Sequence, residues 1–383
     1  MHGLRTPLLT LELRTHHTRD DIESLAREWD ALVVAAPRPS PYLLWAWVDQ
    51  WLAGPGAAAK VAVVSASREG RLAALLPTCI VRRHRVRTLA FIGDRESWLA
   101  DLLLAPGEPS STALALLSRL RELPYDVAAF TGVPGGSLLD AATAGRLRLV
   151  ERAEHPVLDM PDGWEAAYAS KASSQRRSRD RKRERQLAAA GAYEEIIAKS
   201  PAAIDAVFGD VLTLHELRWG GRRDGSEFGT PAGARAQQAA LRRLAAAGRA
   251  GIVLLRLDHR PIGFQIWMTV GDTMYLHRSG VDPSAMRYSP GLIAMRRAIA
   301  HGAAELGTRH VEMQGAGDRY KLDLATRIQP INDAYGLART PAGVVMGVTL
   351  AQVVRTRRRL RDVEVLRRVY LEGPRSVLRK RSS

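Results

Sequence analysis

At 383 residues the chain is long enough for two domains, and its 46% hydrophobic and 25% charged content is that of a soluble globular protein. A single cysteine, Cys79, excludes a disulfide framework, and the ten histidines are scattered without the spacing of a metal site. The formal charge of +16 sits almost wholly in two segments: Lys171–Ala190 holds eight Lys/Arg against Asp180 and Glu184, and Arg355–Ser383 holds eleven against Asp362, Glu364 and Glu372, a distribution that attracts phosphate-bearing partners.

Met1–Arg19 carries no signal-peptide-type apolar core, and no apolar run long enough to span a bilayer follows, so a cytoplasmic protein is expected. Thr10–Arg14 reads as a strand. Asp20 is a candidate N-cap for a helix to about Val34 that buries Ile22, Leu25, Trp29 and Leu32 at helical spacing. Pro37, Pro39 and Pro41 end it. The helix Tyr42–Trp51 follows with three tryptophans, a pattern that favours core packing over substrate contact. Lys60–Ser67 and Arg71–Arg82 form a hairpin around Glu69-Gly70. Arg87–Ile92 and Trp98–Leu104 are further strands, Ser110–Leu123 a helix and Val127–Thr131 a strand.

Leu147–Met160 is expected to cross into a second half. Pro161–Trp164 opens a helix, and Lys171–Gly191 reads as one strongly basic helix closed by glycine. Ala202–Gly220 is helical, Gly220–Gly233 a Gly-rich loop, and Ala234–Ala247 a helix. Ile252–Leu257, Ile262–Val270 and Thr273–Gly280 alternate as strands between turn signals. Tyr288-Ser289-Pro290-Gly291 opens an apolar-periodic helix, and His310–Met313 is a short strand that runs into a turn ending at Tyr320-Lys321. Ile328–Tyr335 is a last strand, and a basic helical tail starts near Gly347. Val353, Leu360, Val363, Leu366, Val369 and Tyr370 recur in it among arginines.

The order hairpin, strand, turn, helix, strand resembles the core of the GNAT acyltransferases. The resemblance rests on Pro261-Ile262-Gly263, Ser279-Gly280-Val281-Asp282-Pro283, Ser289-Pro290-Gly291, and Gly317 with Tyr320-Lys321. It is closer to the CelD-like (cellulose-biosynthesis-type) branch, which shares its fold with the Fem aminoacyl-tRNA-dependent peptidyltransferases. The resemblance implies an α/β fold of tandem GNAT-like domains, mixed central sheets with flanking helices. Residues 1–150 would be a degenerate first half, 151–346 the half with the active site, and 347–383 a basic helical tail.

It also implies an N-acyltransferase that uses acetyl-CoA or another acyl-CoA, without a metal, on an amine or hydroxyl of a small-molecule or envelope-related (glycan) acceptor. By resemblance, Lys321 pairs with a phosphate or stabilises the tetrahedral oxyanion, and Tyr320 protonates the leaving group. Glu312 and His277, on strands beside the expected cleft, are candidate bases. Arg287, Ser289, Gly291 and Leu292 at the helix start would hold the carrier's pyrophosphate, although Gly291 comes one residue late for the superfamily's phosphate-loop pattern. Arg176, Arg179, Lys182, Arg183 and Trp219 are candidates for substrate or carrier binding. A basic helix also arises as a plain solvated face, so two alternatives stay open. One is an aminoacyl-tRNA donor; the other is a non-catalytic interaction module using the basic segments, with peripheral contact to an anionic membrane at the inner face. No P-loop, nucleophile elbow or HExxH sequence occurs.

Overall fold

The computed structural model describes residues 10–219, 227–315 and 319–362. The first part of the chain holds β1 (Leu11–His16), α1 (Arg19–Glu23), α2 (Ala26–Ala35), α3 (Trp45–Ala53), β2 (Lys60–Val61), β3 (Val63–Arg68), β4 (Arg71–Leu76), β5 (Thr78–Arg83), β6 (Val86–Phe91), β7 (Leu103–Leu104), α4 (Ser110–Arg119), β8 (Val127–Pro134), α5 (Leu138–Thr143) and β9 (Leu147–Asp159). The second holds α6 (Gly163–Lys171), α7 (Ser174–Ala188), β10 (Tyr193–Ala198), α8 (Pro201–Trp219), α9 (Pro231–Ala246), β11 (Ala250–Leu257), β12 (Arg260–Val270), β13 (Thr273–Val281), α10 (Pro290–Glu305), β14 (His310–Glu312), α11 (Arg319–Leu322), β15 (Arg327–Gly336) and α12 (Pro341–Asp362).

Eleven strands form one mixed sheet in the order β10-β11-β12-β13-β14-β9-β15-β8-β6-β5-β2, and β1-β3-β4-β7 form a smaller one. The first hairpin passes from one sheet to the other where Ala62 and Pro77 interrupt its strands. Pro77 has no N–H for a ladder. At the second hairpin Asp258 and His259 both take positive φ, 51° and 62°, as a two-residue turn with matching twist demands.

The two parts repeat one order: a hairpin, a third strand, a helix, and a strand parallel to that third strand. β6 pairs with β8 through Thr88↔Val127, and β13 pairs with β14 through Thr273↔His310. The last strands are exchanged. β9 lies antiparallel to β14, β15 lies antiparallel to β8, and β9 and β15 pair with each other along most of their length. Residue 150 therefore lies inside β9.

The largest apolar cluster runs through both parts, from Trp29, Tyr42 and Phe130 to Phe208 and Phe264. A second cluster, with Trp164, Leu187, Trp267, Ile293 and Met295, lies under α10.

Several local expectations are corrected. Thr18, not Asp20, caps the first helix, in a capping box with Asp21. The expected basic helix Lys171–Gly191 is two helices, because Ser173 accepts from the Arg176 N–H and restarts the turn. Within Trp98–Leu104 only Leu103–Leu104 is strand. Tyr320 and Lys321 lie in the short helix α11, not at a strand end. The strand β10 was not expected. The first half of the loop Gly220–Gly233, Gly317 and the tail beyond Asp362 lie outside the described residues.

Candidate functional site

The parallel pair β13–β14 stops at Tyr275↔Glu312, and past that point the two strands have no register partners in each other. A bulge sits just beyond on β13: Trp267 faces Leu276 and Ile266 faces Arg278, so His277 is an extra residue. The bulge turns His277 and Arg278 toward one neighbour. Gln237 Oε1 of α9 lies 3.0 Å from His277 Nε2 and accepts from Arg278 Nε at 3.2 Å. Its amide nitrogen donates to Glu96 at 2.9 Å, and Arg278 donates to the same carboxylate at 2.5 Å.

Those contacts fix the Gln237 amide, so His277 carries its proton on Nε2 and accepts at Nδ1. Tyr42 lies 3.0 Å from that nitrogen and donates to Gln314 Oε1 at 2.6 Å. One phenolic proton thus has two acceptors within reach. The Trp47 ring stands nearly perpendicular to His277, centroids 5.1 Å apart. Burial, with Arg278 adding to it, keeps the imidazole far below its ordinary pKa. Burial also raises the Tyr42 phenol.

Glu312 closes the other side. Arg38, from the Pro37–Pro41 segment, donates to both of its oxygens at 3.3 and 3.2 Å, and His155 Nε2 of β9 stands 2.6 Å away. Burial alone would raise the Glu312 carboxyl, but the His155 and Arg38 contacts outweigh it and hold it at about 2. Burial lowers His155 against the opposing pull of Glu312. Glu312 is therefore a committed ion-pair partner, which weighs against its expected role as a base.

Beyond β14, Gln314 takes a positive φ of 44°, and its carbonyl accepts from Lys321 Nζ at 2.6 Å. The ammonium lies 5.8 Å from the centroid of the Tyr320 ring. Lys321 also depresses His155, which puts it in the same electrostatic field. The structure thus brings Lys321, Tyr320, Glu312 and His277 around the end of β14. It adds Arg38, Tyr42, Glu96, His155, Gln237, Arg278 and Gln314, which sequence reasoning missed. The proline-bracketed Arg38 was the one available signal.

The phosphate-side candidates sit at the start of α10. Ser289 is left-handed, φ 57°, and its carbonyl accepts from Leu292 and Ile293. Pro290 has no N–H, so over 289–293 only the Gly291 N–H has no partner among the described residues. A Cβ on Gly291 would come within 2.8 Å of Val281, so glycine here serves close packing on β13. The exposed Arg287 guanidinium covers the Tyr288 ring, 4.7 Å from its centroid.

Helix α7 lies against this turn and is anchored from below. Asp180 and Glu184 pair with Arg296 of α10 at 2.8 and 2.6 Å. Arg176 pairs with Asp323 at 2.8 Å, and Arg183 lies 3.9 Å from Asp180. Arg179 and Lys182 are exposed. Trp219 closes α8, and its side chain lies outside the described residues. Among the described residues no group of His, Cys, Asp and Glu is arranged to hold a metal.

Residues 174–322 match the Acetyltransferase (GNAT) domain family. With the mixed sheets, flanking helices and diverging parallel pair, this makes the chain's fold that of the GNAT acyltransferases. Among solved structures it is similar over 85% of its length to 97% of FemX, at 12% identity and TM-score 0.57. It is similar over 86% to 96% of the C-terminal domain of a proposed lysylphosphatidylglycerol synthetase from Agrobacterium fabrum, at 10% identity and TM-score 0.53. It is also similar over 81% to 97% of a conserved protein of unknown function from Bacteroides thetaiotaomicron, at 12% identity and TM-score 0.52. At these identities the likeness is one of fold. No curated protein matches the chain.

Proposed function

We propose that this chain is a bacterial, cytoplasmic N-acyltransferase of the CelD-like kind. It would move an acetyl or other acyl group from a CoA thioester to an amine or hydroxyl of a small-molecule or envelope-related acceptor. The observation that carries this reading is the opening where β13 and β14 part, with Lys321 at one end and the start of α10 at the other. The pantetheine arm would lie between the strands, and its phosphates would meet Gly291, Arg287 and the outward face of α7.

The acceptor nitrogen would attack the thioester carbonyl, forming a C–N bond while the C–S bond breaks. Lys321 would stabilise the oxyanion. The amine's proton would leave to solvent at the opening, because a buried imidazole held far below its ordinary pKa makes His277 a weak acceptor, and Tyr320 would protonate the departing thiolate. Glu312 would hold Arg38 and His155 in place and take no proton.

A second reading, an aminoacyl-tRNA donor, is favoured by the same start of α10. A single backbone donor beside an arginine-rich helix suits a carrier recognised by side-chain cations over many phosphates. Calorimetric titration with acetyl-CoA, beside aminoacyl-tRNA at two salt concentrations, separates the readings. Saturable CoA binding, with CoA release on adding amines abolished in Lys321→Ala, supports the first. Steeply salt-dependent tRNA binding without CoA binding moves the protein to the second. Silence in both overturns acyl transfer from either donor.

A further inference from the structure

Helix α12 is built the reverse of an ordinary surface helix. The face it lays on the sheet is made of small residues, Gly343, Gly347 and Ala351, spaced four apart. A Cβ on Gly343 would come 2.1 Å from the Asp126 carbonyl oxygen, so the helix backbone lies directly on the neighbouring chain. Leu350 and Val354 lean half-buried against the same seat, and the other five large aliphatic residues point away from it. Val344 is 53%, Val345 66%, Val348 48%, Val353 40% and Leu360 46% exposed. Of the eleven large apolar side chains exposed among the described residues, five are on this helix, which makes them a face and not scatter.

Arginines share that face toward its C-terminal end. Helical spacing sets Arg355 and Arg359 in line with Val344 and Val348. Arg358 is paired with Glu151 at 2.5 Å, and the three arginines with Leu149, Val150 and Glu151 line an open groove between β9 and α12. Arg355 and Arg359 have no acidic partner among the described residues. The sequence beyond Asp362 adds Arg367, Arg368, Arg375, Arg379, Lys380 and Arg381.

We infer that the outward face of α12 docks on an anionic lipid surface, its valines and Leu360 entering the acyl boundary and Arg355 and Arg359 meeting headgroup phosphates. At about 33 Å the helix has the length to cross a bilayer, but its arginines hold it along the surface, and no described helix is both long and apolar enough to span one. Nucleic acid would satisfy the arginines but gain nothing from the exposed aliphatics. A second copy would bring another chain of charge +16 against this one. The inference stands apart from the acyl-transfer reading, since it uses no residue of that site.

The test is co-sedimentation of the full chain with phosphatidylcholine vesicles with and without phosphatidylglycerol. Wild type is expected to bind only the anionic vesicles. Arg355→Glu/Arg359→Glu should weaken binding at least about tenfold, and Val345→Asp/Val348→Asp should weaken it in low and high salt alike. All of these positions but the half-buried Arg355 are exposed, so thermal unfolding should match wild type, and a variant that melts early is replaced by Val345→Ser/Val348→Ser. The inference fails if wild type ignores anionic vesicles, or if both variants bind as wild type does. It also fails if the valine variants only dissolve a dimer seen by sedimentation, or if the face proves to bind RNA instead.

Discussion

His277 is neutral in the fold, held between Tyr42 and Gln237, with Arg278 beside it and Glu96 one step further off, bonded to both Gln237 and Arg278. Its folded pKa lies well below the unfolded value of about 6.5. Between those values the unfolded chain binds the extra proton, so His277's contribution is full above the unfolded pKa and is lost as pH falls. His155 and His16 are lowered in the same direction. Stability should therefore decline from pH 7 to pH 5. His277→Gln, which can keep both hydrogen bonds, should remove up to about 1.4 kcal/mol per pH unit of that slope. Urea midpoints across the range check this, and an unchanged slope would mean that the imidazole takes up its proton in the fold as readily as in the unfolded chain.

Glu312 titrates in the opposite sense. With its pKa at about 2, its stabilisation is present above the unfolded carboxyl value and is lost only as pH falls toward 2. Removing Arg38 leaves a carboxylate that is 3% exposed with His155 as its remaining partner. Arg38→Ala should destabilise by about 2–3 kcal/mol, and Arg38→Ala/Glu312→Gln by less than the two single changes together. An additive cycle would remove the pair from the account of the site. The partners explain why half of this site was illegible in the sequence. Lys321, His277 and Glu312 stand out as chemical types on recognisable strands and turns. Arg38 and Tyr42 lie 274 and 235 residues from the side chains they meet, and periodicity reports only near neighbours.

At the level of elements, the sequence was readable where one face is buried and the other wet. The hairpins, β13 and α10 fall close to their expected spans. β10 was missed because Tyr193–Ala198 is an edge strand, half-exposed or exposed up to the buried Ala198, with Glu194 and Glu195 in place of alternation. α11 is four residues long, too short for a period. Glycines inside helices test the packing that sequence cannot show. A Cβ on Gly209 of α8 meets nothing within 4 Å, and Gly209→Ala should stabilise by about 0.5–1 kcal/mol. The same change at Gly343 of α12 drives a methyl into the Asp126 carbonyl and should destabilise by about 1–3 kcal/mol despite its better helix propensity. Paired thermal melts distinguish propensity from contact, and equal shifts at the two sites would refute the close seat of α12.

For the whole molecule, the exchanged strands decide how the chain comes apart. β9 leaves the first part to cover β14, and β15 returns from the second to cover β8. Neither part can keep a closed sheet without the other's last strand, and the main apolar cluster draws on both. Arg38–Glu312, Tyr42–Gln314, Glu96–Arg278 and the Tyr275 hydroxyl donating to the Pro39 carbonyl tie them again at the site. The full chain should therefore unfold in one cooperative step, with a denaturant slope that reflects all of its buried surface and not half of it. A fragment ending at residue 150, which cuts through β9, should not fold alone. A fragment ending at Asp159 should expose β8 and β9 as open edges and aggregate. Two separate transitions in urea, seen by tryptophans of α3 and by Trp267 of β12 in single-tryptophan variants, would show that the parts are independent. Coincident transitions would mean that the site is assembled only when both parts are folded, so that any change in the strand exchange is felt at Lys321.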